Sequence, residues 1–347
     1  MRRGKSGLNL LLGVDKPLGM TSHDVVNRVR RALGEGRVGH AGTLDPAASG
    51  VMVVGVGQGT RLMGLLTAEE KTYVAEVSFG VETDTDDAEG RPVREAAVPP
   101  ELADRAFAER AVAALVGRHS QVPPAYSAIS VNGRRAYALA RSGQEVELEP
   151  RQIEVFSAQL IAVTAGDAAV AADKDGAPAG DAAAATGAAA AGGLAAGAVA
   201  WTVALRVSKG TYVRAIARDL GRELGTAGHL ENLRRTSSGL VDLTACLVLD
   251  EVDELGAARV RERCLDPAAM LGLPHRELVG AEAEDVACGR RIEVGRVLAP
   301  DRAAEAALPD GGRVALCRAD RLMGVWRRRG GMLCCDVNFP DGVEGVR

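Results

Sequence analysis

Residues 39–60 read Gly39-His40-Ala41-Gly42-Thr43-Leu44-Asp45-Pro46-Ala47-Ala48-Ser49-Gly50-Val51-Met52-Val53-Val54-Gly55-Val56-Gly57-Gln58-Gly59-Thr60. They set one carboxylate, Asp45, between a glycine-rich loop and a continuous apolar run. Pro46 biases Asp45 toward extended backbone. Gly39, Gly42 and Gly50 allow sharp turns or close approach to a ligand. Val51–Val56 reads as a fully buried strand, a rigid base for the loop. A charge in such a place costs free energy unless something pairs with it or uses it. On its own, an Asp-Pro pair would be read as a turn cap.

Upstream, Leu10–Val14 reads as a strand ending in the loop Asp15-Lys16-Pro17-Leu18-Gly19-Met20. Thr21 or Ser22 can cap a helix with Val25, Val26, Val29 and Leu33 on its apolar face and Gly34 at its end. Downstream, Tyr73, Ala75, Val77 and Phe79 alternate with more polar neighbours, as in a half-buried strand. The acidic run Asp84-Thr85-Asp86-Asp87-Ala88-Glu89-Gly90 lacks the spaced ligands and closing Glu of a calcium loop. It is expected to be a solvated turn. A helix is expected near 101–117, whereas 121–150 mix Pro, Gly, Tyr and Arg without a period. Trp201, Val203, Leu205 and Val207 mark a strand leading to Ser208-Lys209-Gly210-Thr211. Thr211 can cap a helix with Val213, Ile216, Leu220 and Leu224 on one face. Arg218 and Arg222 read as surface residues on that helix.

Residues 165–200 are almost entirely Ala and Gly. Ala182–Trp201 carries no charge and has the length of a membrane span. Its only larger apolar groups are Leu194, Val199 and Trp201, so the stretch reads as a low-complexity insertion between two strands, with no membrane segment. From about residue 252 the pattern changes. A short helix is expected within Glu277–Gly295, then strands at Arg313–Ala319, Met323–Arg327 and Met332–Phe339, which make a small β-rich C-terminal domain. Strands interleave with helices and several alternate in polarity, so the fold class is α+β rather than a doubly wound parallel sheet.

The 347 residues can build two domains and carry a formal net charge of −4. Bulk charge therefore gives no sign of nucleic acid, and any RNA contact must come from local basic clusters. The six cysteines, at 246, 264, 288, 317, 334 and 335, form no Cys-x-x-Cys pair, and no His stands at ligand spacing beside them. Neither a disulfide framework nor a metal site is expected, which suits a reducing, cytoplasmic setting. The start, Met1-Arg2-Arg3-Gly4-Lys5 before Leu8–Val14, mimics a signal peptide but lacks a small-residue cleavage site.

The segment His40-Ala41-Gly42-Thr43-Leu44-Asp45-Pro46 closely resembles the motif of the TruB-type tRNA pseudouridine-55 synthases, in which the aspartate is catalytic. Residues 8–250 carry further ordered blocks of that resemblance. Lys71-Thr72-Tyr73-Val74-Ala75 matches the block of the active-site tyrosine, which stacks on the target base. Ser208-Lys209-Gly210-Thr211-Tyr212-Val213-Arg214 matches the block whose arginine pairs with the catalytic aspartate and whose tyrosine lines the uracil pocket. By itself, Tyr73 would be a core aromatic. Leu233 matches an apolar pocket position, although a plain core leucine reads almost as well. His40 matches a histidine that fills the space left by flipped bases, and Lys16-Pro17 a signature supporting the active-site loop. Pro123–Ile129 with Arg134, Tyr137 and Arg141 resembles an RNA-gripping insertion, where Arg and Tyr suit phosphate contact and base stacking.

The resemblance implies a pseudouridine synthase fold: a mixed, mostly antiparallel sheet with flanking helices over 1–251, then a PUA-like RNA-binding domain over 252–347. The RNA-gripping insertion would span about 121–150. The implied activity is isomerisation of uridine 55 in the TΨC loop of tRNA. Asp45, Tyr73 and Arg214 would be catalytic, and His40, Tyr212, Leu233, Lys16, Arg134 and Arg141 would contact substrate. The implied substrate is the T stem-loop of tRNA, met by a monomer with no cofactor, no metal, no membrane, no guide RNA and no obligate partner. Three other readings stand beside it. An RNA-guided synthase would lack the tRNA-gripping insertion, and a non-catalytic RNA-binding protein would not need Asp45. A glycoside hydrolase would need a second carboxylate flanking the same bond, and none stands beside Asp45.

Overall fold

A computed structural model describes residues 6–66, 70–131, 133–144, 146–166, 197–301 and 303–347. The chain forms two compact units, one of Met1–Pro46, Gly50–Glu69 and Ser237–Arg347, the other of Ala47–Ser49 and Glu70–Thr236.

In the first unit, strand Leu10–Lys16 runs antiparallel to strand Ala48–Val56, with Leu10 opposite Val56 and Lys16 opposite Gly50. Its other edge pairs in parallel with Cys246–Val248, and Val38–Ala41 lies along the far side of Val53–Val56. The two central strands read as unbroken apolar runs because both of their faces are buried. Leu10, Leu12, Val14, Met52 and Val54 face helix Ser22–Leu33, which contributes Val25, Val26, Val29 and Leu33. Leu11, Val51 and Val53 belong to a second core, shared with Ala315, Cys317, Leu322, Phe339 and Val343. The helix begins as expected: Thr21 forms a capping box with Asp24, and Gly34 ends it in the left-handed conformation at φ 61°.

The C-terminal residues form a five-stranded sheet in the order His275–Glu277, Arg313–Arg318, Arg321–Arg329, Met332–Glu344 and Ile292–Glu293. Trp326, Leu316 and Leu333 pack there with Val286 of the short helix Glu282–Ala287. The helical span Leu249–Glu262, which had no counterpart among the sequence expectations, is two helices broken at Gly256, where φ is 63°.

In the second unit the strand order is Gly228–Ser238, Lys71–Phe79, Val199–Val207, Arg151–Ala165 and Gly117–Gln121. The last four pair antiparallel throughout. Tyr73, Ala75, Val77 and Phe79 point into the core, as their alternation predicts. Trp201 meets the Phe79 ring edge-on, with centroids 4.8 Å apart, and its indole N–H donates to the Leu102 carbonyl at 2.8 Å. Most of the Ala/Gly stretch, 167–196, lies outside the described residues. Its flanks join the ladder: Ala165 pairs with Val199, and Gly166 N–H donates to the Ala198 carbonyl at 2.8 Å. Among the described residues no helix is long and apolar enough to cross a membrane.

Candidate active site

In the first unit the residues on either side of Asp45 are held through their backbone groups. The buried Ser22 hydroxyl, at the start of its helix, donates to the Leu44 carbonyl and accepts from the Leu44 N–H, both at 2.9 Å. On the other side, the Pro46 carbonyl accepts from the Gly19 N–H at 2.9 Å and from the Lys16 ammonium at 3.5 Å. The Lys16 side chain is fully buried. It also donates to the carbonyls of Pro17 at 2.8 Å and Met20 at 2.7 Å. The ammonium thus ties the loop at 17–20 to the loop at 45–46. Gly42 enters the bend at φ 74°, and Asp45 itself is half-buried. His40 is half-buried on strand Val38–Ala41, opposite Val54.

In the second unit Tyr73 is buried on its strand, opposite Leu205, and Leu233 is buried on strand Gly228–Ser238. Tyr212, and not Thr211, occupies the N-cap of helix Val213–Glu223, with no side-chain cap. Gln121 takes over that duty. Its amide oxygen accepts from the Tyr212 N–H at 3.0 Å, and its amide nitrogen donates to the Tyr212 carbonyl at 3.1 Å.

The acidic run and the helix arginines depart most from expectation. Asp86 and Asp87 are buried, and so are Arg214 and Arg218. Arginines spaced by four residues project from one helix face, and each meets an acid from residues 82–87. Arg214 lies 3.5 Å from the Asp87 carboxylate and donates to the carbonyls of Thr85 at 2.8 Å and Tyr126 at 3.0 Å. Arg218 pairs with Asp86 at 2.8 Å, and Arg222 pairs with buried Glu82 at 2.7 Å. Arg94 binds the same Glu82 at 2.6 Å. Asp86 and Asp87 are therefore not solvated, although Ala88 and Glu89 of the same turn are exposed, and Arg218 does not lie on a solvated face. Asp86 adopts φ 61°. Burial pushes its carboxyl above the ordinary range, against the pull of Arg218 and Arg214. The hydrogen bond from Arg222 holds Glu82 below its ordinary value despite burial. Burial lowers the His229 imidazole, but its bonds to Glu231 and the Val81 carbonyl outweigh this and leave it raised.

Arg134 and Arg141 are exposed. They lie on a small hairpin, Ser130–Val131 with Arg134–Arg135, and on the helix Ala136–Arg141 that follows it. The Arg141 guanidinium sits 5.8 Å from the Tyr137 ring centroid. All six cysteines are free.

A family model described as the N-terminal domain of TruB family pseudouridylate synthase matches residues 30–175. One described as the tRNA pseudouridylate synthase B C-terminal domain matches residues 214–270. The tRNA pseudouridine synthase B of Mycobacterium sp. (strain KMS) is 43% identical over 304 residues, which cover 87% of this chain and 90% of its own. The chain belongs to the TruB family of pseudouridylate synthases. These enzymes are isomerases that act on RNA. The protein of the same description from Arthrobacter sp. (strain FB24) is 42% identical over 317 residues, covering 89% and 92%. Among solved structures, an H/ACA RNP bound to a substrate RNA containing 2'-deoxyuridine aligns over 97% of this chain and 87% of its own, with TM-score 0.61 and 20% identity. A Cbf5-Nop10-Gar1 complex aligns over 96% and 85%, with TM-score 0.62 and 20% identity. At that identity the likeness is one of fold, and it agrees with the pseudouridine synthase fold expected from the motifs.

Proposed function

We propose that this TruB-family chain converts uridine 55 in the TΨC loop of tRNA to pseudouridine, with Asp45 as the catalytic carboxylate. The observation that carries the reading is the double restraint around Asp45: Ser22 holds the backbone of Leu44, the residue before it, and Lys16 with Gly19 hold the carbonyl of Pro46, the residue after it. A carboxylate that must meet one atom of an extruded nucleoside gains from such fixed placement. The relatives named for tRNA at 42–43% identity support tRNA as substrate.

The reaction breaks the bond from the ribose to uracil N1 and re-forms it to C5. It needs neither an electron carrier nor a second substrate, but the base must leave the stack first. In this reading Asp45 attacks or stabilises the reacting nucleoside, and Arg214 is its cationic partner. Tyr73 holds the flipped base, Tyr212 and Leu233 line its pocket, and His40 fills the gap the base leaves. Lys16 keeps the loop in place, and Arg134 and Arg141 grip phosphate. Residues 252–347 add a PUA-like RNA contact, and the enzyme works as a single chain in the cytoplasm without guide RNA.

The test uses unmodified tRNA transcript, purified protein and no other macromolecule, with pseudouridine mapped by position. Wild type is expected to modify position 55. Asp45→Asn is expected to bind the transcript with unchanged affinity and form no product. Normal turnover by Asp45→Asn would remove Asp45 from the chemistry, and dependence of the wild type on an added guide would favour the RNA-guided reading.

A further inference from the structure

The segment 121–126 is fastened to helix Val213–Glu223 at three successive points. Gln121 clasps the Tyr212 peptide, the Val122 carbonyl accepts from Arg218 at 2.9 Å, and the Tyr126 carbonyl accepts from Arg214 at 3.0 Å. Between the last two lie Pro123 and Pro124, whose φ is fixed by their rings. Beyond the fastening the chain folds back on itself: Tyr137 N–H donates to the Ser127 carbonyl at 3.0 Å, and Ala136 N–H to that of Ile129 at 2.8 Å. The exposed residues Arg134, Arg135, Tyr137 and Arg141 thus ride on a short folded-back arm rooted at 121–126.

Arg218 is the hub of that root. One guanidinium nitrogen meets Asp86 at 2.8 Å, a second the Val122 carbonyl at 2.9 Å, and the third Asp219 at 2.8 Å. Its side chain and that of Asp86 are each 11% exposed. Asp86 is fixed in its turn, since its backbone carbonyl accepts from the Leu230 N–H at 3.0 Å. A planar fork with five donors can hold three acceptors in different directions, which an ammonium cannot do with the same geometry.

We propose that Arg218 and Asp86 are positioning residues that set the root of the RNA-gripping arm, and so where Arg134 and Arg141 meet the tRNA backbone. The proposal rests on the functional reading above and assigns neither residue to the chemistry. A pair that aims a substrate-gripping arm governs substrate capture, whereas one that only stabilises the fold lowers the fraction of active enzyme and leaves KM alone.

The experiment compares wild type with Asp86→Asn, Arg218→Met and the double variant. Asp86→Asn leaves Arg218 with Asp219 as its remaining acid, whereas Arg218→Met takes from buried Asp86 the cation 2.8 Å away and can unfold the protein. The double variant removes both of these buried charges, and Asn tolerates the positive φ at 86. Two readouts are taken. In free protein, trypsin cleavage after Arg134, Arg135 and Arg141 should quicken about tenfold in the double variant as the arm loosens. With unmodified tRNA, KM should rise about tenfold while kcat stays within about twofold of wild type. Wild-type cleavage rates with unchanged KM would overturn the proposal, as would a fall in kcat alone. If wild type makes no pseudouridine on tRNA, the functional reading fails, and the cleavage rates alone still decide whether the pair anchors the arm.

Discussion

The Ser22 hydroxyl spends both its proton and a lone pair on one residue, Leu44, at the step before Asp45. Ser22→Ala would leave the buried Leu44 N–H and carbonyl without this partner, at a cost of about 1–3 kcal/mol. If fixed placement of Asp45 matters, the variant should lose about tenfold in kcat on tRNA with KM unchanged, measured by single-turnover product formation. An unchanged kcat would leave Ser22 with stability alone. The loop that carries Asp45 was legible, because Gly42, Leu44, Asp45 and Pro46 fall within five consecutive residues. Ser22 was legible only as a helix cap, because its partner lies 22 residues away and neither leucine nor serine marks the contact. Lys16 read as part of a loop signature, but its burial and its three carbonyl partners depend on where the loops meet.

At the scale of elements, the terminal signals were clear wherever the chemistry is local. Thr21, Asp24 and Gly34 define both ends of helix Ser22–Leu33, and the alternation in Lys71–Phe79 fixes its inward face. Helix Val213–Glu223 was harder, because a charge read by itself belongs in water. Its arginines at 214, 218 and 222 share a face, and three acids occur at 82, 86 and 87. That matching pair of patterns was the available signal, and only the pairing turns it into a ladder of ion pairs, buried at Arg214 and Arg218 and exposed at Arg222.

The ladder makes a pH prediction. Glu82 is held below its ordinary carboxyl value, first by Arg222, against burial, and then by Arg94. Its contribution to stability is therefore fully present above the unfolded value, about 4.5, and fades as pH falls through the lowered folded value. Chemical denaturation of wild type should show a loss of stability on acidification below about pH 4.5, and Glu82→Gln should flatten that loss. An identical acid slope in the variant would assign the loss to other carboxylates.

At the scale of the molecule, the described residues of the first unit hold three core clusters, and one pair of strands divides two of them. Strand positions in the C-terminal sheet were readable from their turns and apolar runs. What sequence could not supply is that Phe339 and Val343 share a core with Leu11 and Val53, since apolar periodicity tells that a face is covered but not by what. Phe339 is fully buried, so Phe339→Ala should destabilise the protein by about 3–5 kcal/mol. Urea unfolding checks this, and a shift of less than about 1 kcal/mol would mean that the core collapses onto the space left behind.

A strand that is greasy on both sides cannot find its place by hiding one side from water, because slipping by a residue merely exchanges two oily partners. Strand Leu10–Lys16 faces that ambiguity, and shape supplies the missing index marks. A Cβ at Gly59 would stand 2.3 Å from the Leu10 carbonyl oxygen, and one at Gly13 would stand 2.8 Å from that of Ala245. Only an alignment that brings these bare backbone positions to those crossings lets the chain close. The floor beneath Asp45 is thus set like a key in a lock, by where atoms are missing.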